Sequence, residues 1–430
     1  MAAKETTAMD FINASQMPAI TWHYLQMNDA CIQIPAALAI APSVTVSEPW
    51  LARGEADEFE NALADAQERW EKTHPEPSAA EIAALKEAQE AEAGATYGGT
   101  ARSTYQMTAD AVAEARSVVE AFEHGVDDEV AAYLRYVAGD RVVVNADPGQ
   151  TVDAQVVVNA AADAISVAAI DAIASEGSTL NLSVVVACSE GVEGLEGSVT
   201  GSTIRVFADE GASVSVKRLQ ALCDGAMDID DMALFAAQGG SIAVRQTVLG
   251  AEASYTGLAC DLRGDRSSVD IDTRYLGHGS QQRDFNYIVR QHGRKTESNL
   301  TANGVLAGSS TKCLRGTIDF VRGCCGSEGS ENETVLLVDE GVRNKTVPTL
   351  LCNEDDVAGN HGATIGHIRE EQMFYLASRG LSPQAAERMF VSALVEQAVL
   401  DAPDDAARKA ALSYGNRLKP GFSELFDEEV

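Results

Sequence analysis

The sequence predicts a mainly β chain with helical ends, its centre a β-helix of stacked coils. Three observations carry this. Short β-branched runs bounded by Gly, Asp and Asn begin after Gly139 and continue to about residue 350. Inside that region a weak repeat returns at a nearly fixed interval. On either side, apolar residues fall at helical spacing. At 430 residues the chain has room for two to three ordinary domains or for one long solenoid.

Taken in order, residues 1–50 read as irregular, punctuated by Pro18 and Pro42, with Trp22, Tyr24 and Leu25 as one apolar anchor. From Glu55 the composition shifts to Ala and Glu. Phe59, Leu63, Ala66 and Trp70 recur at three- and four-residue steps, the mark of one helical face. His74–Pro77 breaks that helix, and Ser78 is placed to cap the next. Beyond Gly98 and Gly99, two further helical patterns cover Ala109–Phe122 and Asp127–Val137, their charged faces reading as solvated surface.

The strand texture starts with Arg141–Asn145, Gln155–Val158 and Leu182–Val186. One short helix is expected inside it, near Asp231–Gln238. The repeat begins at Ser213, returns at Ser241, 28 residues on, and again at Ser268, 27 residues after that. Each copy has apolar second and fourth residues, and the last two run on to Leu249-Gly250 and Leu276-Gly277. A period of this length without intervening helices points to coils that cover one another's apolar rows, against the alternative of a β-sandwich. The end of the chain is helical: Glu370–Ser378, a stop at Gly380, then Ser382 and Pro383 as N-cap and first helical residue, with Phe390, Leu394 and Ala398 on one buried face. An acidic tail, Asp427–Glu429, precedes the last residue.

Charge and motifs narrow the function classes. Lys and Arg number 32 against 65 Asp and Glu, a formal charge of −33, which argues against nucleic acid and anionic lipid as partners. No apolar run is long enough to span a bilayer, and the first residues lack the pattern of a secretory signal. Eight cysteines, at 31, 188, 223, 260, 313, 324, 325 and 352, form no CxxC pair. They read as mostly buried, reduced thiols of a cytoplasmic protein, which makes Asn332–Thr334 a chance glycosylation match. P-loop, GxGxxG, HExxH and GxSxG motifs are all missing.

Two groups hold metal-ligand chemistry. Cys324 and Cys325 are vicinal; read as adjacent strand residues they point to opposite faces and pack separately. The denser group is Cys352, His361 and His367, with Glu354, Asp355 and Asp356 between. Thiolate and imidazole suit iron and other transition metals. Gly362, directly after His361, removes bulk where a partner would approach, and a histidine hydrogen-bonded at a turn is the plainer alternative.

Through these residues the chain resembles the SufB/SufD family of scaffolds in SUF iron–sulfur cluster assembly, most closely the SufD type. The resemblance runs from about Ser268 to Val399 and rests on Cys313–Phe320 (CLRGTIDF), Val335–Val338 (VLLV), Val347–Val357 (VPTLLCNEDDV), Asn360–Gly366 (NHGATIG) and Phe374–Gly380 (FYLASRG). It implies an N-terminal helical region (1–139), a right-handed parallel β-helix core (140–366) and a C-terminal helical domain (367–430) that docks the SufC ATPase. It further implies a non-catalytic subunit, ATP hydrolysis on SufC, and a SufB-type partner. In SufB-type scaffolds a cysteine stands four residues before the Thr-x-Pro segment; that segment is Thr346–Pro348 here, and the position holds Val342. SufB also tends to carry Glu after the histidine, where this chain has Gly362. By resemblance, His361 faces the partner's cysteine and holds the nascent cluster. Some SufD proteins have a cysteine two residues earlier, which is Gly359 here. Cys352 is a weaker metal candidate, and a flavin is compatible with the family but has no motif in this sequence. The other readings are a SufB-like homodimeric scaffold with SufC and a β-helix polysaccharide-processing enzyme.

Overall fold

The computed structural model describes residues 8–18, 27–35, 38–41, 44–46, scattered positions between 61 and 72, 123–139, 141–189, 192 and 194–429. Residues 1–50 contain more order than their sequence suggested. Strands β1 (Ala8–Ala14) and β2 (Ala30–Pro35) pair antiparallel, and β3 (Ala39–Ile40) and β4 (Val44–Val46) join the central sheets. Their apolar residues Phe11, Ile32 and Ile34 find partners far along the chain, in Ile165, Val199 and Tyr255, which local pattern does not reveal. Trp22, Tyr24, Leu25, Phe59, Leu63, Trp70, Ser78 and Ala109–Phe122 lie outside the described residues. Of that helical face, Ala66 is helical and buried.

The solenoid opens with β5 (Arg141–Ala146), β6 (Thr151–Ala160), β7 (Ala164–Ala174), β8 (Thr179–Cys188), β9 (Val199–Ala208) and β10 (Ser213–Ala221). It continues through β11 (Met227–Ala236), β12 (Ser241–Val248), β13 (Ala253–Leu262), β14 (Ser268–Gly277), β15 (Gln282–Gln291) and β16 (Glu297–Leu306). It ends with β17 (Thr311–Phe320), β18 (Ser327–Leu337), β19 (Arg343–Cys352) and β20 (Val357–His367). Even-numbered strands from β6 to β20 form one parallel sheet, and odd-numbered strands from β7 to β19 form the other. This is the parallel β-solenoid expected. Ser213, Ser241 and Ser268, the three repeat markers, are direct neighbours in register.

One corner of the coil fixes the stacking. Gly149, Gly177, Gly211 and Gly239 turn it with φ between 63° and 71°, a left-handed conformation that only glycine takes without strain. Gly177, Gly211 and Gly239 each donate their N–H to a carbonyl in the next coil, at Glu210, Gln238 and Asp265, all at 2.9 Å. Further along, Arg266 and Lys295 hold the same corner with φ of 58° and 55°.

The helix expected near Asp231–Gln238 is instead strand β11 and the turn after it. Met232, Leu234 and Ala236 face the lumen, while Phe235 packs outward against Ala66, Val143, Ile173 and Phe207. With both faces buried, the two-residue alternation that marks a strand disappears. The cysteines also differ from expectation. Cys188 at the end of β8 is disulfide-bonded to Cys223 just after the neighbouring β10, because coil stacking adjoins residues 35 apart in sequence. Of the free thiols, Cys31, Cys325 and Cys352 are exposed.

Helices cover the flanks. α1 (Asp128–Ala138), capped by Asp127, lays Val130, Leu134 and Val137 on Ile165, Val167 and Val199 of the odd-strand sheet. After β20 come α2 (Glu370–Ser378), α3 (Pro383–Leu400) and α4 (Asp405–Leu418). Ser382 caps α3 as expected, its Oγ accepting from Ala385 N at 3.2 Å. Val395, Ala398 and Val399 of α3, with Ala407, Ala411 and Tyr414 of α4, pack on Val185, Leu219, Leu249 and Leu276 of the even-strand sheet. Phe390 is only half-buried, so the buried face of α3 centres one residue past the expected one. Asp427–Glu429, read as a tail, closes a 3₁₀ segment, Phe422–Glu429. No helix among the described residues is long and apolar enough to cross a membrane.

Candidate functional site: the open mouth of the solenoid

β20 and β19 are the terminal strands of their sheets. Their inward rows therefore have no coil above them, and β20 is exposed along nearly its whole length. Register assigns those rows. Lumen-facing Ile318 and Phe320 pair with Leu350 and Cys352, and lumen-facing Val335 pairs with Ile365. Two-residue alternation then places Gly359, His361 and Ala363 in the same inward row of β20. His361 is exposed, with no described strand stacked beyond β20.

The site residues predicted from sequence are only partly brought together. A Cβ at Gly359 would lie 3.2 Å from Leu350 Cδ1 and 3.1 Å from Phe320 Cε2, so Gly359 faces Leu350 across the lumen. His361, two residues on, then faces Pro348. Cys352 stands four residues further along β19 than Pro348, a distance of about 13 Å at strand rise. Cys352 and His361 thus share the rim without sharing a site. Among the described residues, no three His, Cys, Asp or Glu side chains are grouped to hold a metal. The same geometry explains the glycine at 359: a larger side chain would crowd Phe320 and Leu350.

The acidic trio belongs to the corner beside the rim. Glu354 accepts from Gly323 N at 3.0 Å, Asp355 N at 3.0 Å and Asp356 N at 3.4 Å. Burial works against its charge, but these amides hold its carboxyl below the usual range. Cys324 and Cys325 sit in the turn before β18, not on a strand, and pack separately as expected, the first buried and the second exposed. Burial, helped by Glu354, pushes the Cys324 thiol up to about 12.

One coil below the rim lies a buried polar floor that sequence reasoning missed. Lys312 Nζ is ion-paired with Glu333 Oε1 and reaches Lys345 O and Thr346 Oγ1, both at 3.1 Å. Tyr275 OH donates to Glu333 Oε1 at 2.9 Å, and Thr346 Oγ1 donates to Oε2 at 2.5 Å. Burial lowers the Lys312 pKa, opposed by Glu333. Glu331, one inward position before Glu333, is pushed up to about 8 by burial and by the Glu333 charge. The available signal was the alternation Gly329, Glu331, Glu333, Val335, which puts both carboxylates on the face that carries a core valine.

A second surface lies just past the rim. α2 buries no residue, and Phe374 and Tyr375 are 77% and 56% exposed.

Comparison with known proteins gives the context. Residues 157–394, more than half of the chain, match the family described as SUF system FeS cluster assembly, SufBD core domain. The iron–sulfur cluster assembly protein SufD of Bacillus subtilis is 28% identical over 157 residues, which is 36% of each chain. SufD of Escherichia coli is 26% identical over 161 residues, 37% of this chain and 38% of that one. A SufBD family protein of Pyrococcus horikoshii is 30% identical over 140 residues, 33% of this chain and 31% of the relative. The matched segments thus span about a third of the length of these curated relatives.

Proposed function

The chain belongs to the SufBD core family of the SUF iron–sulfur cluster assembly system, and from that premise we propose that it is a SufD-like scaffold subunit. It pairs with a SufB-type chain, binds the SufC ATPase, and handles a nascent iron–sulfur cluster as cargo. The observation that carries this reading is the exposed imidazole of His361, presented inward at the end of the solenoid where β19 and β20 are the last strands of their sheets. An uncovered eleven-residue edge strand is a template for another chain. Thiolate and imidazole donors suit iron, and among the described residues His361 belongs to no group of three metal-ligating side chains, so the partner supplies the thiol. Val342 and Gly362, where SufB-type chains differ, favour the SufD side of the pair.

Splitting the donors between chains serves a scaffold that must release its product, because movement at the interface changes the number of ligands. ATP hydrolysis on SufC supplies the movement; the sequence here has no P-loop. Residues 140–366 and 367–430 then act as core and docking segment. Exposed Phe374 and Tyr375 on α2 are the apolar contacts offered to SufC.

The test is co-expression with SufB- and SufC-type partners, anaerobic purification, and assay of bound iron and sulfide. His361→Ala leaves the complex assembled and abolishes most of its cluster. An assembled His361→Ala complex with unchanged cluster content removes the role given to His361. Failure of the chain to co-purify with either partner removes the scaffold reading.

A further inference from the structure

We propose that Glu331 is a second iron donor of the open mouth, acting with His361 on a single ferrous ion. This rests on the reading of the mouth as the place where iron is handled.

Glu331 is an exception among the buried acids described. Asp171 has Arg135, Arg141 and Arg205; Asp228 and Asp230 share Arg218; Asp284 has Arg315; Asp319 has Arg290. Asp231 accepts from Val126 N and pairs with His124, and Glu333 has Lys312, Tyr275 and Thr346. Asp319 Oδ1 also lacks a hydrogen-bond partner, but its Oδ2 is ion-paired; Glu331, 4% exposed, has a buried Oε2 with no hydrogen-bond partner and forms no ion pair with a described residue. Burying an oxygen this way is costly unless something else completes it.

Placement says what completes it. Glu331 and His361 are register partners on β18 and β20, in the same inward row. Such partners stand about 4.8 Å apart. Two long side chains rooted at that spacing can bring a carboxylate oxygen and an imidazole nitrogen to one ion at bonds of about 2 Å. The rim side of the pair is open, since His361 is exposed. The other side is kept clear by Gly316, where a Cβ would stand 2.3 Å from Glu331 Oε1 and 2.6 Å from Oε2. A glycine there leaves the carboxylate its space. Oxygen with imidazole suits ferrous iron, and the remaining positions go to water or to donors of the partner chain.

The experiment is anaerobic calorimetric titration of the full chain with ferrous ion alone. One site is expected, weakened at least about tenfold by Glu331→Gln and by His361→Ala. Glutamine keeps the shape of the acid, so thermal unfolding should match the parent. Gly316→Ala crowds the carboxylate while changing no donor; it should weaken the site too, and it decides the matter where Glu331→Gln fails to fold. Parental affinity in Glu331→Gln, or no ferrous binding by the parent at millimolar metal, overturns the role of Glu331. Neither result touches the scaffold reading, which stands or falls on the cluster content of the assembled His361→Ala complex.

Discussion

β7 and β20 are both eleven-residue parallel strands of one solenoid, yet every residue of β7 is buried and almost every residue of β20 is exposed. Composition does not explain it, since β20 carries Val357, Ala358, Ala363 and Ile365 and β7 carries Ser166 and Asp171. Neighbours explain it. β7 has β9 beside it, the lumen beneath it and α1 above it; among the described strands β20 has only β18 beside it in its sheet. In a stack of coils, burial is set by the next coil, and a terminal coil is finished only by something other than itself.

The lumens beneath the two strands differ as sharply. Around β7 the filling is Val156, Val158, Ala168, Ile170, Val184 and Val186. Beneath β20 it is Lys312, Glu333, Tyr275 and Thr346. The largest expected effect tests the polar end. Lys312→Met strands a buried Glu333 with two neutral donors, and the chain should lose about 3–5 kcal/mol in urea unfolding. A loss below about 1 kcal/mol would mean that water reaches the floor and that the two ends of the lumen differ less than described. The apolar end has its own test. Ile170→Ala, at a fully buried lumen position, should cost about 2–4 kcal/mol by the same measurement, through lost burial and the cavity left behind.

Between the ends, Asp230 offers a pH-dependent comparison. Arg218 Nε lies 2.8 Å from its Oδ1, Ser202 Oγ donates to that oxygen at 2.5 Å, and Gln246 Nε2 donates to Oδ2 at 3.1 Å. Burial nonetheless raises its pKa from 3.8 to about 7, against Arg218 and with help from the Asp228 charge. The folded chain then binds more protons than the unfolded one between those two values. Its contribution to stability is full below pH 3.8 and is lost as pH rises towards 7. Asp230→Asn should flatten that part of the stability profile, measured by denaturant midpoints across the range. An unchanged slope would place the ionised form of Asp230 in the folded lumen.

How much of this was legible depends on which face of a strand met solvent. Ser213, Ser241 and Ser268 lie on even strands whose N-terminal halves alternate between buried residues and partly or fully exposed ones, and their period was readable. The odd strands from β7 to β17 are covered on both faces for most of their length, so β11 looked like a helix and its sheet left no period to find. His361 was found through its resemblance to a family motif, and its exposure at an uncovered end follows from stacking, which local sequence does not express. Glu331 lies in a run of Ser, Glu and Asn (residues 330–333) that reads as solvated surface. Its alternation with Val335 hints at the inward face, and the strand register settles it.

The smallest effect probes what the two regions share, the left-handed corner. Gly239 and Lys295 hold equivalent corners in different coils, with φ of 65° and 55°. Nothing but distant backbone lies near the open side of Gly239, the nearest atom being Gly211 Cα at 3.9 Å from a built Cβ. Gly239→Ala therefore meets no clash, and a loss of about 1 kcal/mol reads the backbone preference alone. Lys295→Gly runs the same comparison backwards. It relieves a left-handed lysine while loosening the unfolded chain, so a gain below about 1 kcal/mol is expected in thermal unfolding. Opposite signs at the two positions show that the corner angle is fixed by the stack and not by the residue in it. A neutral Gly239→Ala would show instead that the corner relaxes, and that the hydrogen bonds from coil to coil set its shape only loosely.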